Sequence, residues 1–331
     1  MDNPKYSLEG NLSASATGSA LDTGAYDNLM GGFKIASPRD YTNTKPDGGS
    51  EYLKTDDEKE SVATVSMVNP HTRVSVQLAG VIHIASPAFY REIKSRLRGS
   101  DFVLYESIGK PRRSTPSDGG YLGSFYELLS RGITSHKKEL LKRILDDVVK
   151  TGGSDSPRLN RFVDYAQKNS KLLKLTSQGQ GFDYSNLPSN WVHADISFME
   201  FNRSMGLLNL IFSPLAVPLA VVIRHPKIIG AISKRISPYG RILPSEGTKS
   251  PGFINKTNEP REERVLEVFD STMRKHPEAR EISVFYGAAH LRSLEDKFED
   301  RGFERTGIEF LPFNYLPGAV LEEAKKACSS D

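Results

Sequence analysis

The chain has 331 residues with a formal net charge of +3, and 26% of its residues are charged. It is long enough to bury a large core, and its scattered basic residues argue against a nucleic-acid partner. The single cysteine, Cys328, excludes an internal disulfide and a thiolate-rich metal site. This composition is typical of the cytoplasm or another reducing intracellular compartment.

The first 55 residues are rich in Gly, Ser, Thr, Asn and Asp, and they lack the basic start and apolar run of a secretory signal. They offer too little apolar surface to offset the entropy that a chain loses when it becomes ordered. We therefore predict a flexible polar tail over residues 1–55, followed by a single α/β domain over residues 56–331.

The first elements of the domain are predicted from two runs of β-branched residues around the sequence NPHT, a pattern that indicates a β-hairpin. The second run is LAGVIHIA, in which Gly80 is followed three residues later by His83. Ser86 and Pro87 then have the residue types of a helix N-cap and first helical position. The next strand, DFVLYES, carries Glu106 near its carboxyl end.

The middle of the chain, at about 120–260, has apolar residues spaced three and four apart and is predicted to be a helical insertion. Its most apolar run, LLNLIFSPLAVPLAVVI at 207–223, is short for a membrane span and is interrupted by an asparagine and two prolines. We predict a kinked buried helix or a lid over a pocket. The alternative is a peripheral membrane contact through residues 207–235, because basic residues follow the apolar run.

The last elements repeat the order of the first. The strand EISVFYG ends in Gly287, His290 follows three residues later, and a helix then leads to a final strand. A strand–helix–strand segment at each end of the domain predicts an α/β fold in which helices flank a mixed β-sheet.

Both histidines are therefore expected at the start of a helix that follows a strand. The free N–H groups of such a helix point to the carboxyl edge of the sheet, where open α/β sheets bind ligands. The helix dipole favours neutral imidazole, which coordinates a metal or accepts a proton. With Glu106 at the same edge, His83 and His290 predict a divalent-cation site or a base–acid pair. The alternative for each histidine is a packed side chain that bonds a neighbouring carbonyl.

The motifs together resemble a known family. The segments GVIHIASPAFYREIKSRLRGSDFVLYES and REERVLEVFDSTMRKHPEAREISVFYGAAHLRSLEDKF look like the core of the TraB/PrgY–GumN–Tiki group. Its members share two Gly-x-x-His motifs, a glutamate on the strand after the first and an arginine on the helix before the second. The matching residues here are Gly80 with His83, Glu106, Arg264, and Gly287 with His290.

The resemblance implies a fold like that of the erythromycin esterases and the haem-binding ChaN proteins. Tiki members act as metal-dependent proteases, which implies that His83, Glu106 and His290 hold a divalent cation such as Mn²⁺, Co²⁺ or Zn²⁺. It also implies catalytic roles for His83, Glu106 and Arg264. From its helix, Arg264 can reach into the site as an anion clamp or pair with surface carboxylates; the resemblance favours the clamp.

Other polar residues belong to a second group of candidates. Gln178, His193 and Asp195 share one polar stretch, of the kind that often lines a site. Asp195 can instead cap the next helix, although Ser197 and Glu200 in that helix already have the spacing of a capping box.

Glu262 is expected to lie at the start of its own helix as an N3 capping residue, because Pro260 suits the first helical position. On this interpretation Glu262 has a local role at the start of the helix.

The sequence thus predicts a hydrolase for a peptide or small-molecule substrate, in which histidine and glutamate activate water with or without a metal. The alternative is a non-catalytic protein that sequesters a small molecule, a peptide or haem in the same crevice. Other hydrolase and nucleotide signatures, such as Gly-x-Ser-x-Gly, a phosphate loop and His-Glu-x-x-His, do not occur in the chain.

Overall fold

The computed structural model describes residues 51–107, 121–152, 157–205 and 252–329. Residues 1–50 lie outside these ranges, as does the apolar segment at 207–223 with its basic continuation to 235. Within the described ranges, no helix combines the length and the apolar character that a membrane crossing requires.

The described strands form a mixed seven-stranded sheet and a separate two-stranded ladder. They are β1 (Leu53–Thr55), β2 (Lys59–Val68), β3 (Ser75–Val81), β4 (Ile84–Ala85), β5 (Phe102–Tyr105), β6 (Thr176–Ser177), β7 (Trp191–His193), β8 (Glu281–Gly287) and β9 (Glu304–Tyr315). The order in the larger sheet is β1-β2-β3-β8-β5-β7, and β9 pairs with β2 along its other edge. The strands β3, β8, β5 and β7 are parallel, whereas β2 is antiparallel to β1, β3 and β9.

The α-helices of the described ranges are α1 (Pro87–Leu97), α2 (Tyr121–Gly152), α3 (Pro157–Lys168), α4 (Gln178–Gly181), α5 (Phe198–Met205), α6 (Gly252–Lys275), α7 (Leu291–Glu299) and α8 (Pro317–Ser329). The predicted start of α1 is confirmed, because the Ser86 hydroxyl accepts a hydrogen bond from the backbone N–H of Phe89 at 3.2 Å. The prediction of an α/β fold with a mixed sheet and flanking helices is also confirmed. The middle of the chain is not wholly helical, since β6 pairs with β4 and β7 extends the main sheet.

The main core lies where α6 and α7 pack against the sheet. Gly80, in β3, allows α7 to approach closely: a Cβ there would lie 2.6 Å from Val62 Cγ2, 2.7 Å from the Ala63 carbonyl oxygen and 2.9 Å from Leu291 Cδ1. Gly80 is the glycine of the first Gly-x-x-His sequence. Its position within β3 gives it a packing role.

Replacing Gly80 by alanine is expected to lower the free energy of unfolding by about 1–3 kcal/mol, because the new methyl group overlaps a backbone carbonyl and two packed side chains. Gly307→Ala is the matched control, since a Cβ at this glycine of β9 would meet no atom within 4 Å. Urea denaturation of both variants measures the difference, and equal stabilities would contradict the packing role of Gly80.

Residues 51–55, which the sequence prediction places in the polar tail, belong to the fold. Tyr52 is buried, and its hydroxyl donates a 2.7 Å hydrogen bond to Glu295 Oε2. Leu53 and Thr55 delimit β1, which pairs with β2. The short, partly exposed strand LKT has too few apolar residues to stand out from the polar composition before it.

Candidate active site

The candidate site forms at the carboxyl ends of the parallel strands. β5 is in register with the ends of β7 and β8, and β3 ends level with β8. The loops that follow these strands therefore open at one edge of the sheet, as the sequence predicts. Four candidate residues lie shortly after the ends of these strands: His83 after β3, Glu106 after β5, Asp195 after β7 and His290 after β8.

Glu106 is held by a backbone donor and a side-chain donor. Its Oε2 accepts a hydrogen bond from the backbone N–H of Gly287, and its Oε1 accepts one from Arg261. A Cβ on Gly287 would lie 3.0 Å from Glu106 Oε2 and 3.6 Å from His290 Cδ2. The side chains of Glu106 and His290 therefore both lie next to Gly287. Because both oxygens of Glu106 are bound, its role is that of a fixed negative charge.

Arg261, on α6, is the centre of the cluster. It binds Asp195 in a bidentate manner, with Nε to Oδ1 at 3.0 Å and Nη2 to Oδ2 at 2.8 Å. The same Nη2 contacts Glu106, and Nη1 lies 3.2 Å from His290 Nε2. The side chain is only 9% exposed. A buried guanidinium with three polar partners provides the positive charge that these carboxylates require.

His290 is buried between Arg261 and Glu262. Since Arg261 can only donate, His290 Nε2 must accept, and the ring proton therefore lies on Nδ1, which donates to Glu262 Oε1 at 2.9 Å. Glu262 Oε2 also accepts a hydrogen bond from the Ser293 hydroxyl. The ring packs edge-on against Tyr286, with centroids 5.0 Å apart. His290 is thus a packed, neutral histidine, which was the alternative to a metal ligand in the sequence analysis. Its hydrogen-bond partner is a carboxylate, whereas that alternative expected a backbone carbonyl.

The charges of the cluster fix its protonation. Burial alone would raise the pKa of Glu106, but the positive charge of Arg261 outweighs it and lowers this pKa below its ordinary value. Burial would lower the pKa of Arg261, but the hydrogen bond to Asp195 and the charges of Glu106 and Asp195 raise it well above its ordinary value. Burial and the same two carboxylates raise the pKa of Tyr286. Glu106 is therefore ionised, Arg261 is charged and Tyr286 keeps its proton.

His83 differs from His290 because its ring is exposed. Its Nδ1 lies 2.9 Å from Gln178 Oε1, and its ring stacks on Tyr126 with centroids 4.9 Å apart. Burial, followed by the charge of Glu106, raises the pKa of Tyr126. His83 precedes α1 by several residues, separated from it by β4, so it does not lie in the first turn of a helix as the sequence predicts.

The geometry bears on the divalent cation that the Tiki resemblance implies for His83, Glu106 and His290. Within the described part of the chain, no three His, Cys, Asp or Glu side chains converge on a point suited to an ion. Both oxygens of Glu106 and both ring nitrogens of His290 already have partners. An ion among these atoms would have to displace the guanidinium of Arg261. The residues as arranged therefore do not fit a resident cation.

Arg264 lies outside the cluster. It is partly exposed and pairs with Glu200 at 3.0 Å and with Glu267 at 3.1 Å, which is the surface pairing and not the anion clamp that the resemblance favours. α6 begins at Gly252 and continues through Pro260, so the prediction that Pro260 starts this helix is wrong.

Two other residues of α6 face the site. Arg261 and Glu262 lie within the helix and point to the edge of the sheet, where both are buried. Glu262 consequently binds His290 and is not a cap. The sequence carried one signal for Arg261, since it lies four residues before Val265 and eight before Phe269 on the apolar face of the helix.

The three second-group candidates have different positions. Asp195 belongs to the cluster through both of its oxygens. It does not cap α5, because Ser197 and Glu200 form the predicted capping box, at 2.7 and 3.2 Å. Gln178 contacts His83, whereas His193 Nε2 bonds the Ser107 carbonyl oxygen at 2.5 Å.

Comparisons of the chain with protein-family models, with curated proteins and with solved structures find no match. The resemblance to the TraB group stays a prediction that rests on the four short motifs.

Proposed function

We propose that this protein is a hydrolase in which His83 acts as the general base for water that attacks the carbonyl carbon of an ester or amide. The observation that carries the proposal is the state of the His83 ring: it is exposed at the carboxyl edge of the sheet, and its Nδ1 is engaged by Gln178. The other ring nitrogen, Nε2, is then the atom that can accept a proton.

The proposed reaction has two proton transfers at His83. Nε2 removes a proton from water as the water oxygen bonds to the substrate carbonyl carbon. The resulting imidazolium then donates this proton to the leaving oxygen or nitrogen as the bond to the carbonyl carbon breaks. The proton is returned, so His83 ends each cycle neutral.

The buried cluster supports this chemistry through a fixed charge. Glu106 and His83 follow β5 and β3 at the same edge of the sheet, and a nearby negative charge stabilises an imidazolium more than a neutral imidazole. Arg261 and the Gly287 N–H keep the carboxylate in place and ionised. Arg261, Asp195, His290 and Glu262 therefore act on the reaction through Glu106, and none of them needs to touch the substrate.

A second candidate function is non-catalytic binding of a small molecule, a peptide or haem in the same crevice. The observation that favours it is the closure of the Arg261 cluster. All three nitrogens of the guanidinium already contact Glu106, Asp195 or His290 within the protein. A hydrolase requires a base with free access to water, whereas a binding protein does not. The effect of replacing His83 therefore distinguishes the two candidate functions.

Replacing His83 by alanine is expected to lower kcat/KM by about 100-fold or more, the usual contribution of a general base. The measurement uses purified protein with panels of chromogenic esters and fluorogenic peptides. His71→Ala is the matched control, because His71 is an exposed histidine in the turn between β2 and β3, and it should keep full activity.

Equal loss of activity in both variants, or full activity in His83→Ala, would overturn the role of His83. If wild-type protein cleaves no member of either panel but is stabilised by one of the compounds, the binding function is favoured. In that case the stabilisation measures the affinity of the folded state for the compound.

A further inference from the structure

Gln178 contacts His83 at two points. Its backbone N–H donates a 2.8 Å hydrogen bond to the His83 carbonyl oxygen, which continues the small ladder between β4 and β6. Its side-chain Oε1 lies 2.9 Å from His83 Nδ1. The backbone contact fixes the distance between the two residues, and the side-chain contact fixes the orientation of the imidazole ring.

The amide of Gln178 is itself held by Tyr184. Gln178 Nε2 donates a hydrogen bond to the Tyr184 hydroxyl oxygen at 2.6 Å. The Tyr184 ring packs against Phe182 at 5.2 Å and Tyr105 at 6.0 Å between centroids, so the hydroxyl has a defined position. With Nε2 bonded to Tyr184, the carbonyl oxygen of the amide faces His83.

We infer that Tyr184 and Gln178 are positioning residues that set the tautomer of His83. A carbonyl oxygen can only accept, so it requires a proton on Nδ1 of the neutral ring and leaves the lone pair on Nε2. Stacking on Tyr126 keeps the ring plane in the orientation that this hydrogen bond needs. A free imidazole populates both tautomers, and only the one with a proton on Nδ1 presents Nε2 as a base.

The inference rests on the proposed function for its catalytic meaning, but the tautomer can be measured without any substrate. The full chain is labelled with ¹⁵N-histidine, and long-range ¹H–¹⁵N correlation spectra are recorded at a pH at which the rings are neutral. The signals of His83 are assigned by their absence from His83→Ala. We expect wild-type His83 to carry its proton on Nδ1 and to show an unprotonated Nε2.

Four variants test the two contacts. Gln178→Glu should keep the proton on Nδ1, because a carboxylate can only accept. Gln178→Leu removes the acceptor and should average the two tautomers, and Tyr184→Phe should do so in part because the amide of Gln178 is then free to rotate. Gln180→Leu is the control: this neighbouring glutamine contacts Thr176, and its loss should leave the His83 signals unchanged.

A wild-type His83 with its proton on Nε2, or a tautomer unaffected by Gln178→Leu, overturns the inference whether or not the protein has activity. If the tautomer responds as expected but no substrate is cleaved, the positioning by Gln178 stands and the proposed function fails. With an active wild type, Gln178→Leu should lower kcat/KM by about tenfold, Gln178→Glu should restore most of that loss, and neither should matter in a His83→Ala background.

Discussion

Replacing Arg261 by methionine is expected to lower the free energy of unfolding by about 3–5 kcal/mol, the usual cost of removing one partner from a buried ion pair. The methionine fills much of the same space but leaves Glu106 and Asp195 as buried carboxylates without their cation. Urea denaturation at neutral pH measures the loss. The difference from wild type should shrink at acidic pH, where protonation relieves the unpaired carboxylates.

The matched control is Arg264→Met on the same helix. Arg264 is 38% exposed and pairs with two surface glutamates, so its replacement should cost about 0–1 kcal/mol. Equal losses in the two variants would show that Arg261 stabilises the fold as a long side chain and not as a buried charge.

If Arg261 is the cation of the cluster, Mn²⁺, Co²⁺ and Zn²⁺ should leave the melting temperature of the wild type at its value in chelator. Arg261 already provides the positive charge beside Glu106 and Asp195. A metal-dependent rise in wild type that disappears in His83→Ala and His290→Ala would contradict this assignment. It would favour the metal-dependent hydrolase that the Tiki resemblance implies, since bound metal stabilises only the state that binds it.

The part of the fold that could be predicted depends on strong local patterns. The hairpin, the capped start of α1 and the strand–helix–strand segments follow from β-branched runs, a Ser-Pro pair and helical spacing, each of which acts over a few residues. β1 was missed because a three-residue edge strand carries almost no such pattern. Its stability comes from Tyr52, whose partner Glu295 lies 243 positions away.

The site could be predicted as far as its position at the sheet edge, but the roles of its residues could not. The two Gly-x-x-His sequences are alike, yet His290 is buried against Arg261 and Glu262 whereas His83 is exposed. The difference arises because β4 separates His83 from α1, while His290 directly precedes α7. Nothing within the motif itself distinguishes these environments, since they depend on which distant element packs above each histidine.

The arginine of the cluster is Arg261, and the resemblance instead selects Arg264 on the same helix. Spacing places Arg261 on the apolar face of the helix, four residues before Val265. Arg261 lies in the interior of α6 on the same face as Val265, and Arg264 lies three residues further along. Residues three apart on a helix differ by about 60° in direction, because each residue turns the helix by about 100°, and this separates the cluster from the surface.

A second buried cation lies apart from the candidate site, and it makes stability depend on pH. Lys137 of α2 has no exposed surface, and its Nζ donates a 2.6 Å hydrogen bond to Asn314 Oδ1. Asn314 in turn donates to Glu60 Oε2 at 2.6 Å. Burial lowers the pKa of Lys137 from its ordinary 10.5 to about 7, although the charge of Glu60 acts in the opposite direction.

The sign of the effect follows from proton counts. Below pH 7, Lys137 is protonated in both the folded and the unfolded chain, and the folded state bears the cost of a buried charge. Between about 7 and 10.5 the unfolded chain still holds the proton but the folded chain does not. Because the unfolded state binds more protons in this window, the contribution of Lys137 to stability rises with pH, by up to about 1.4 kcal/mol per pH unit.

Lys137→Met is therefore expected to remove this rise, so that the stability of wild type relative to the variant increases steadily above pH 7. Lys138→Met is the control, because Lys138 is the exposed neighbour on the same helix and its variant should follow the wild-type profile. Free energies of unfolding from urea titrations at a series of pH values provide the measurement. If wild type and Lys137→Met give parallel profiles, Lys137 keeps its proton when buried. The hydrogen bond to Asn314 and the charge of Glu60 would then outweigh the cost of burying an ammonium group.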